Sequence, residues 1–351
     1  MRYSGTRTRA TLRDVAHLAG VHPATASRAL NEATRSLVTA TTVQRVVAAA
    51  EELAYRPNSI ARGLRTSRSF TIGVVVPDLT NPLFPPIVRG IEDTLNRSGY
   101  GALVTNTDND PARERDAIDM LRAREVDGFV TATARRDDEA LEDLIASGIP
   151  VALVNRRLPD RRLPVAAVDD RAGIREAVEH LAELGHVRIA HIGVTRELST
   201  GSQRYEGFTE AMRAAGLDPD PDLILLGGSF TESEGDRLCG ALLDAGRGMT
   251  AIIAGNDLIA LGCYDAMDDR SVACPAELSV VGFNDMPFAA RFSPPMTTIR
   301  IPHYDMGVAA AELLLERIES PDAPVREVLL APSLVVRGST AARGAAGPGQ
   351  A

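Results

Sequence analysis

The chain has 351 residues and a mass of 37.4 kDa, which is more than one hydrophobic core usually serves, so two or more domains are expected. Hydrophobic residues make up 44% and charged residues 24%, and this globular composition excludes a chain that is disordered throughout. The net charge of −9 is uneven: residues 1–68 carry eleven Arg against four acids, a net +7, and residues 69–351 carry 27 Arg against 43 acids, a net −16. The basic segment is expected to bind a polyanion, although a solvated Arg-rich surface would give the same charge.

The sequence does not favour a membrane, disulfide, metal or catalytic class. No apolar run approaches the roughly 18 residues that span a bilayer, and the N-terminus has no apolar signal core, so a cytoplasmic protein with no membrane partner is expected. Cys239, Cys263 and Cys274 are odd in number and lack CxxC spacing, which favours buried thiols. We find no Walker loop, no GxGxxG after a strand and no GxSxG elbow, so no catalytic residue, cofactor or metal is predicted.

Three short helices are predicted in the basic segment. Thr11, followed three residues later by Asp14, is a capping pattern that predicts a helix start. Gly20 ends that helix, a second helix is predicted over residues 23–30, and a third over residues 39–54. Two short helices joined by a tight Gly turn form a helix-turn-helix, whose second helix fits the major groove of DNA.

Three blocks of this segment resemble the DNA-binding headpiece of the LacI/GalR family. They read TLRDVAHLAGV at residues 11–21, TASRALN at residues 25–31 and LAYRPN at residues 53–58. The resemblance implies that Pro23, Ala24 and Arg28 face base edges, where Arg28 can donate to guanine O6 and N7. A surface ion pair is the alternative for Arg28.

The same resemblance extends to the residues around the recognition helix. It implies phosphate contacts for Thr25 and Ser27, whose hydroxyls position the headpiece without reading sequence. His22 stands where many members have Ser or Thr, so a phosphate contact and a helix cap both stay open.

Residues 57–68 match the family's hinge segment. A piece this short, with Gly63 inside it, should be mostly unfolded alone and become helical on DNA. By resemblance, Leu64 is the apolar wedge that two subunits insert into the minor groove, although an ordinary linker residue is the alternative. The full set of DNA-binding residues implied by the resemblance is Thr11, His22, Pro23, Ala24, Thr25, Ser27, Arg28, Asn58, Ala61 and Leu64.

From residue 70 onward, short β-rich runs alternate with amphipathic helices. Strands are predicted over residues 71–76, 102–105, 128–131, 151–154, 189–192, 223–226, 251–254 and 278–281. Helices are predicted near residues 83–97, 111–124, 137–147, 171–185, 202–215, 232–245 and 256–269. This alternation predicts two doubly wound parallel sheets with a cleft between them, and ligands of such folds bind beyond the carboxyl ends of the strands.

Residues 70 to about 339 resemble the two-lobed effector core of the LacI/GalR family, which is similar to periplasmic sugar-binding proteins. The most diagnostic runs are GNDLIALG at residues 255–262 and SVVGFND at residues 279–285. The predicted fold is therefore an N-terminal all-α helix-turn-helix headpiece with a hinge helix, followed by an α/β periplasmic-binding-protein-like core of two doubly wound parallel-sheet lobes.

Domain boundaries follow from this fold. They are a flexible N-terminus (1–10), the headpiece (11–56), the hinge (57–68), the core (69–340) and a disordered tail (341–351). Within the core, the first lobe is expected to comprise about 69–166 and 299–326, and the second about 167–298 and 327–340.

Loops that follow the predicted strands supply a candidate effector site. The resemblance implies that it comprises Asn81, Phe84, Asn155, Arg204, Phe230, Asn256 and Asn284. Arg204 would bind a hydroxyl or carboxylate, Phe230 would stack on the ligand, and planar polar groups would bind adjacent hydroxyls, as a sugar requires. Asn284 and Ile301 depart from residues found in many or some members. Local loop support is the alternative for each residue, most strongly for Asp257, whose carboxylate would cap a helix.

The predicted function is a sequence-specific DNA-binding transcriptional regulator, typically a repressor, controlled by a small molecule between the core lobes. Its expected partners are a pseudo-palindromic double-stranded DNA operator, a second copy of the chain in a homodimer, and a carbohydrate effector. Two rival classes stay open: a secreted solute-binding protein, disfavoured by the basic headpiece, and a sugar- or nucleotide-modifying enzyme, disfavoured because no acid and base can be paired.

Overall fold

The computed structural model of the protein describes residues 10–31, 34–55 and 68–343. By its internal contacts the chain forms two units, the first ending at Ser69 and the second beginning at Phe70. Three predicted segments fall largely outside the described residues: the flexible N-terminus, the hinge with Asn58, Ala61 and Leu64, and the tail beyond Arg343.

The first unit contains the predicted helices. They are α1 (Leu12–Leu18), α2 (Pro23–Leu30) and α3 (Ala40–Glu52), with a 3₁₀ turn at Arg35–Leu37. The capping box is confirmed: Asp14 N donates to Thr11 Oγ1 at 3.4 Å, and Thr11 N donates to Asp14 Oδ2 at 2.7 Å. Gly20 has a φ of +62°, the left-handed conformation that ends a helix without steric cost.

Small apolar residues fill the core of this three-helix unit. Val15, Ala26, Ala29 and Val46 have no solvent exposure. Because Ala26 and Ala29 bring the backbone of α2 close to the other helices, the opposite face of α2 stays on the surface. That exposed face includes Arg28.

The second unit is built on two six-stranded sheets. The first contains β1 (Thr71–Val76), β2 (Gly101–Asn106), β3 (Gly128–Thr131), β4 (Val151–Val154), β5 (Val165–Val168) and β11 (Glu327–Leu330). The second contains β6 (Ile189–Val194), β7 (Ile224–Gly227), β8 (Ala251–Ala254), β9 (Ser279–Asn284), β10 (Thr297–Arg300) and β12 (Ser333–Val335).

Strand order confirms the predicted architecture. The first sheet runs β11-β5-β4-β3-β1-β2 and the second β12-β10-β9-β8-β6-β7. All paired neighbours are parallel except β10 and β12, which are antiparallel. Most strands are buried runs of Val, Ile and Ala, as expected for parallel strands covered by helices on both faces.

Eight helices pack on these sheets in the described residues. They are α4 (Phe84–Arg97), α5 (Pro111–Arg122), α6 (Glu139–Ala146), α7 (Asp170–Glu183), α8 (Ser199–Ala214), α9 (Glu232–Asp244), α10 (Asp257–Asp269) and α11 (His303–Glu319). The pairs α4 with α11, α7 with α8, and α9 with α10 make extensive contacts.

The predicted lobe boundaries are wrong in three places. Residues 167 and 168, predicted in the second lobe, belong to β5 of the first sheet. Residues 327–330 form β11, which pairs with β5 in the first sheet rather than belonging to the second lobe. Residues 299 and 300 belong to β10, which pairs with β9 in the second sheet. The chain therefore crosses between the sheets after Val168, Arg300 and Leu330. These strands are short, and long-range pairing rather than local pattern decides which sheet they join.

The predicted elements also omit α11, although its buried residues Met306, Ala310, Leu314 and Ile318 recur at helical spacing. This helix packs directly on α4. A Cβ added to Gly307 would overlap the carbonyl oxygen of Ile87, so only glycine permits this close approach.

The start of the predicted disordered tail is wrong. Ala341 N donates to Ser279 Oγ at 3.2 Å, and Arg343 N donates to the carbonyl of Leu184 at 2.9 Å. The carbonyl of Ala341 is also 3.0 Å from His186 Nε2. These hydrogen bonds hold residues 341–343 against the second lobe, and apolar periodicity does not report them.

Candidate functional site

A pocket between the two lobes brings the predicted effector residues together. It is partly open to solvent and is lined by residues of both lobes. Its lining comprises Pro77, Asp78, Asn81, Leu83, Phe84, Asn109, Asn155, Arg156, Thr200, Arg204, Ser229, Phe230, Thr231, Asn256 and Asn284. All seven residues predicted as effector-binding are in this set, and most of the lining follows the carboxyl ends of strands, where the fold places ligands.

Three asparagines of the lining have a left-handed backbone. The φ angles are +57° at Asn109, +66° at Asn155 and +115° at Asn284. Asn tolerates the left-handed region better than most residues. Such strained backbone conformations persist only where the surrounding structure maintains them, and they are frequent at binding sites. Asn155 follows β4 and Asn284 ends β9, so both amides are held at strand ends, one on each side of the pocket.

Arg204 forms a buried ion pair. Its Nε donates to Asp170 Oδ1 at 2.7 Å, and both side chains are less than 5% exposed. Nη1 donates to the carbonyl of Gly255, and the guanidinium lies 3.8 Å from the ring centre of Phe283. Burial raises the pKa of Asp170, and the adjacent Arg204 guanidinium opposes that rise. The charge of Arg204 is therefore neutralised within the protein, which the sequence does not show.

Arg156 is also buried, but its hydrogen-bond acceptors are neutral. Nη1 donates to the carbonyl of Thr133 at 3.2 Å, and Nη2 donates to Asn109 Oδ1 at 3.0 Å. Nε has no hydrogen-bond partner among the described residues. Burial, with a contribution from nearby Arg135, lowers the pKa of Arg156 to about 10, so the side chain remains a cation at neutral pH. Arg156 was missing from the predicted site.

Several other polar groups of the pocket wall have no partner. Asn155 Oδ1, Thr200 Oγ1 and Asn284 Oδ1 are buried without a hydrogen bond in the part of the chain that the structure describes. Since buried polar groups are nearly always hydrogen-bonded, a polar ligand would satisfy these three atoms. Thr200, in the first turn of α8, has no motif that marks it in the sequence.

Asn256 rather than Asp257 caps the helix that begins at this point. Asn256 Oδ1 accepts from Ile259 N at 2.8 Å, so the expected capping role of Asp257 is wrong. Asp257 is fully buried and accepts hydrogen bonds from Met286 N, at 2.7 Å, and from the Thr298 hydroxyl. Burial raises the pKa of Asp257 to about 7.

The remaining predicted effector residues also have defined positions. Asn81 Oδ1 accepts from Leu83 N at 3.0 Å, which fixes the loop after β1. Phe84 begins α4 and is nearly fully buried, whereas Phe230 is partly exposed and its ring centre lies 5.7 Å from the Arg204 guanidinium. Ile301 is buried in the hydrophobic core and does not line the pocket.

The described residues among those predicted to bind DNA lie at the start of α1 and along α2. Ala24 and Arg28 lie one turn apart on the exposed face of α2, and Arg28 makes no ion pair with a described residue. His22 is the N-cap of α2, with Nδ1 accepting from Ala24 N at 3.2 Å. The histidine thus performs the capping role that Ser or Thr would have. Thr11 is exposed, and Pro23, Thr25 and Ser27 are half-buried.

No group of three or more His, Cys, Asp or Glu side chains is arranged to bind a metal within the described ranges. Among the helices described, none is both long enough and apolar enough to cross a bilayer. Cys239 and Cys263 are buried free thiols, as predicted, and Cys274 is half-buried.

Known proteins resemble this chain in both units. Residues 11–58 match the family described as bacterial regulatory proteins, lacI family, and residues 178–340 match a periplasmic binding protein-like domain. The HTH-type transcriptional regulator RegA of Clostridium saccharobutylicum is 34% identical over 331 residues, which cover 94% of this chain and 99% of RegA.

Two solved structures share the architecture. The lac repressor dimer bound to operator and the anti-inducer ONPF gives a TM-score of 0.82 at 28% identity and covers 95% of this chain and 100% of its own. The complex of the transcriptional regulator CelR with cellobiose gives a TM-score of 0.73 at 30% identity and covers 94% and 100%. With full-length relatives that are regulators and a matching helix-turn-helix, this chain belongs to the lacI family of bacterial regulatory proteins and is a DNA-binding transcriptional regulator rather than an enzyme.

Proposed function

We propose that the protein is a repressor whose affinity for its operator is controlled by a small hydroxyl-rich molecule, a sugar or sugar derivative, bound in the pocket between the core lobes. The observation that carries this proposal is the convergence of Asn155, Thr200 and Asn284, with unpartnered buried polar atoms, on one cavity. Partly exposed Phe230 adds an aromatic face to the same wall. Neighbouring polar and aromatic groups are what a pyranose or furanose ring requires.

The related structures support this assignment. The CelR structure is a complex with a disaccharide, and the lac repressor structure holds an anti-inducer and an operator. The two matched units of this chain correspond to operator binding and ligand binding, the two activities seen in those complexes. We infer that the chain likewise acts as a homodimer on a pseudo-palindromic operator, with α4 and its neighbours contributing to the subunit interface.

Control by the effector is proposed to act through the spacing of the two hinge segments. A ligand that closes the pocket would change the relative placement of the lobes and therefore the ease with which two hinge helices form side by side. A coupling free energy of about 1–3 kcal/mol would change operator affinity by roughly 5- to 150-fold. Leu64, Asn58 and Ala61 lie outside the described residues, and their role as DNA contacts stays a prediction.

Arg28→Ala is expected to remove discrimination at one base pair of each operator half-site. A guanidinium bound to guanine O6 and N7 contributes about 1–3 kcal/mol of discrimination, so the variant should bind the operator and a guanine-substituted operator with nearly equal affinity. Operator selection followed by titration of both duplexes measures this. The weak, salt-sensitive binding that phosphates provide should remain.

The matched control for Arg28 is Arg45→Ala, an exposed arginine on α3. It removes the same charge from the same unit and should weaken binding to every sequence alike. Equal losses on both duplexes for Arg28→Ala would show that Arg28 contacts phosphate and does not read a base.

A ligand screen tests the effector part of the proposal. Sugars and sugar derivatives are added to the full-length protein, and thermal stability is recorded together with operator affinity. A ligand at 100 times its dissociation constant adds about 2.7 kcal/mol of stability. A compound that raises the melting temperature and changes operator affinity supports the proposal. Stabilisation without any change in operator affinity would reject allosteric control.

A further inference from the structure

The two guanidinium groups of the pocket wall differ in how their charge is balanced. Arg204 is paired with Asp170 at 2.7 Å. Arg156 is only 3% exposed and forms no ion pair with any described residue, since its acceptors are the carbonyl of Thr133 and the amide oxygen of Asn109. Removing a charge from water without a counter-charge is costly, and proteins usually compensate such a group. The wall therefore contains one buried positive charge that has no ion-pair partner among the described residues.

The nearest carboxylates behind this wall are engaged elsewhere. Glu114 forms an ion pair with Arg135 at 2.7 Å and accepts from the Thr133 hydroxyl. Asp138 caps α6 by accepting from Leu141 N at 3.0 Å. These two carboxylates reduce the free-energy cost of burying the Arg156 charge, but neither lies within ion-pair distance of its guanidinium.

Among the described residues that line the pocket, Asp78 is the one carboxylate. Its Oδ1 accepts two hydrogen bonds from Thr80, at 2.8 Å from the backbone nitrogen and 2.6 Å from the hydroxyl. Asp78 is partly exposed, so water screens its charge more effectively than that of buried Arg156. At the strand ends the pocket has the amides Asn155 and Asn284, which bind hydroxyls but carry no charge.

We propose that the effector carries an anionic group, a carboxylate or a phosphate, which binds Arg156, and that Arg156 sets the preference for acidic over neutral sugars. This inference rests on the proposed function, because it places the ligand in the same pocket. The buried Nε of Arg156 lacks an acceptor, and an anionic oxygen would supply both that hydrogen bond and the missing counter-charge. The hydroxyls of the ligand would then bind Asn155, Thr200 and Asn284. The expected effector class is therefore a sugar acid or a sugar phosphate.

The experiment compares neutral sugars with their acidic counterparts on the full-length protein. The probes are glucose with glucuronate, galactose with galacturonate, and glucose with glucose 6-phosphate, with affinity measured by calorimetry. A charged hydrogen bond in a buried site corresponds to about 10- to 100-fold in affinity, so at least one acid should bind tighter than its neutral partner by that factor. The uronate and phosphate arms identify which anion the site accepts.

Three variants assign the preference to Arg156. Arg156→Gln should reduce the affinity for the acid to that for the neutral sugar, whereas Arg156→Lys should retain part of the preference because it keeps the charge. The matched control is Arg196→Gln, an arginine that is 52% exposed, stacks on Tyr205 and lies outside the pocket lining. It should leave the preference unchanged. Operator binding without ligand and the melting temperature confirm that each variant is folded.

The outcomes separate this inference from the proposal on which it rests. If neutral sugars bind as tightly as the acids, or if Arg156→Gln keeps the acid preference, the anionic effector is rejected while a sugar effector still stands. If none of the probes of either kind binds, both are rejected. The comparison on the unsubstituted protein decides the ligand class even if a variant fails to fold.

Discussion

Asp170→Ala is expected to destabilise the protein by about 3–5 kcal/mol, because it leaves the buried Arg204 guanidinium without its counter-charge. Both side chains are almost fully buried, so water cannot replace the lost carboxylate. The stacking of Arg204 on Phe283 and its hydrogen bond to Gly255 do not compensate a full charge. Urea denaturation of the variant and the unsubstituted protein measures the difference in free energy of unfolding.

Two further variants show whether the loss of stability in Asp170→Ala comes from the missing charge or from a missing helix cap. Asp169→Ala removes the neighbouring carboxylate, which caps α7 by accepting from Ala172 N at 3.0 Å, and should cost only about 0.5–2 kcal/mol. Asp170→Ala combined with Arg204→Met removes both charges and should be more stable than Asp170→Ala alone. A double variant that is no more stable than the single one would contradict the buried ion pair as the source of the loss.

The contribution of Asp257 to stability is expected to fall between about pH 4 and pH 7. Its pKa is raised by burial from 3.8 to about 7 in the folded protein, so the folded state keeps a proton that the unfolded state has already released. The unfolded state binds fewer protons across this range, so the free energy of unfolding decreases as pH rises and levels off above pH 7. One such group changes stability by at most about 1.4 kcal/mol per pH unit.

The charged groups near Asp257 act on the pH dependence in both directions. Asp285, the nearby carboxylate, raises the pKa of Asp257 further, and it is itself paired with Arg300 at 2.7 Å and Arg337 at 2.6 Å. His303, whose pKa burial lowers to about 4, acts in the opposite direction below pH 6.5 and affects every variant equally.

The measurement is the difference in unfolding free energy between Asp257→Asn and the unsubstituted protein at pH 5, 6, 7 and 8. An amide at this position can still accept from Met286 N and has no charge to bury. The variant should therefore gain stability relative to the unsubstituted protein from pH 5 to pH 7, and the difference should be constant from pH 7 to pH 8. A difference that does not change with pH would show that Asp257 is already ionised at pH 5.

Much of the fold could be predicted from the sequence, because the patterns that specify its helices involve residues close together in the chain. The Thr11 and Asp14 capping pattern, the glycine at position 20 and the apolar periodicity each act within a few residues, and the structure reproduces the helices that they predict. Helix α11 could also have been predicted, because its apolar residues recur at helical spacing, but it was not among the predicted helices. The short strands β11 and β12 could not be predicted from local sequence, because the strands with which they pair lie far away in the chain.

The sequence alone placed Asn155, Asn256 and Asn284 at the pocket, because parallel sheets bring the carboxyl ends of successive strands to one edge and these three residues lie at such ends. Only the tertiary structure decided which of the two arginines has a carboxylate partner among the described residues. Arg204 receives Asp170 from a different helix, 34 residues away, whereas Arg156 receives only neutral acceptors. Charge compensation depends on distances of a few ångströms between groups remote in sequence, and no spacing or periodicity encodes them.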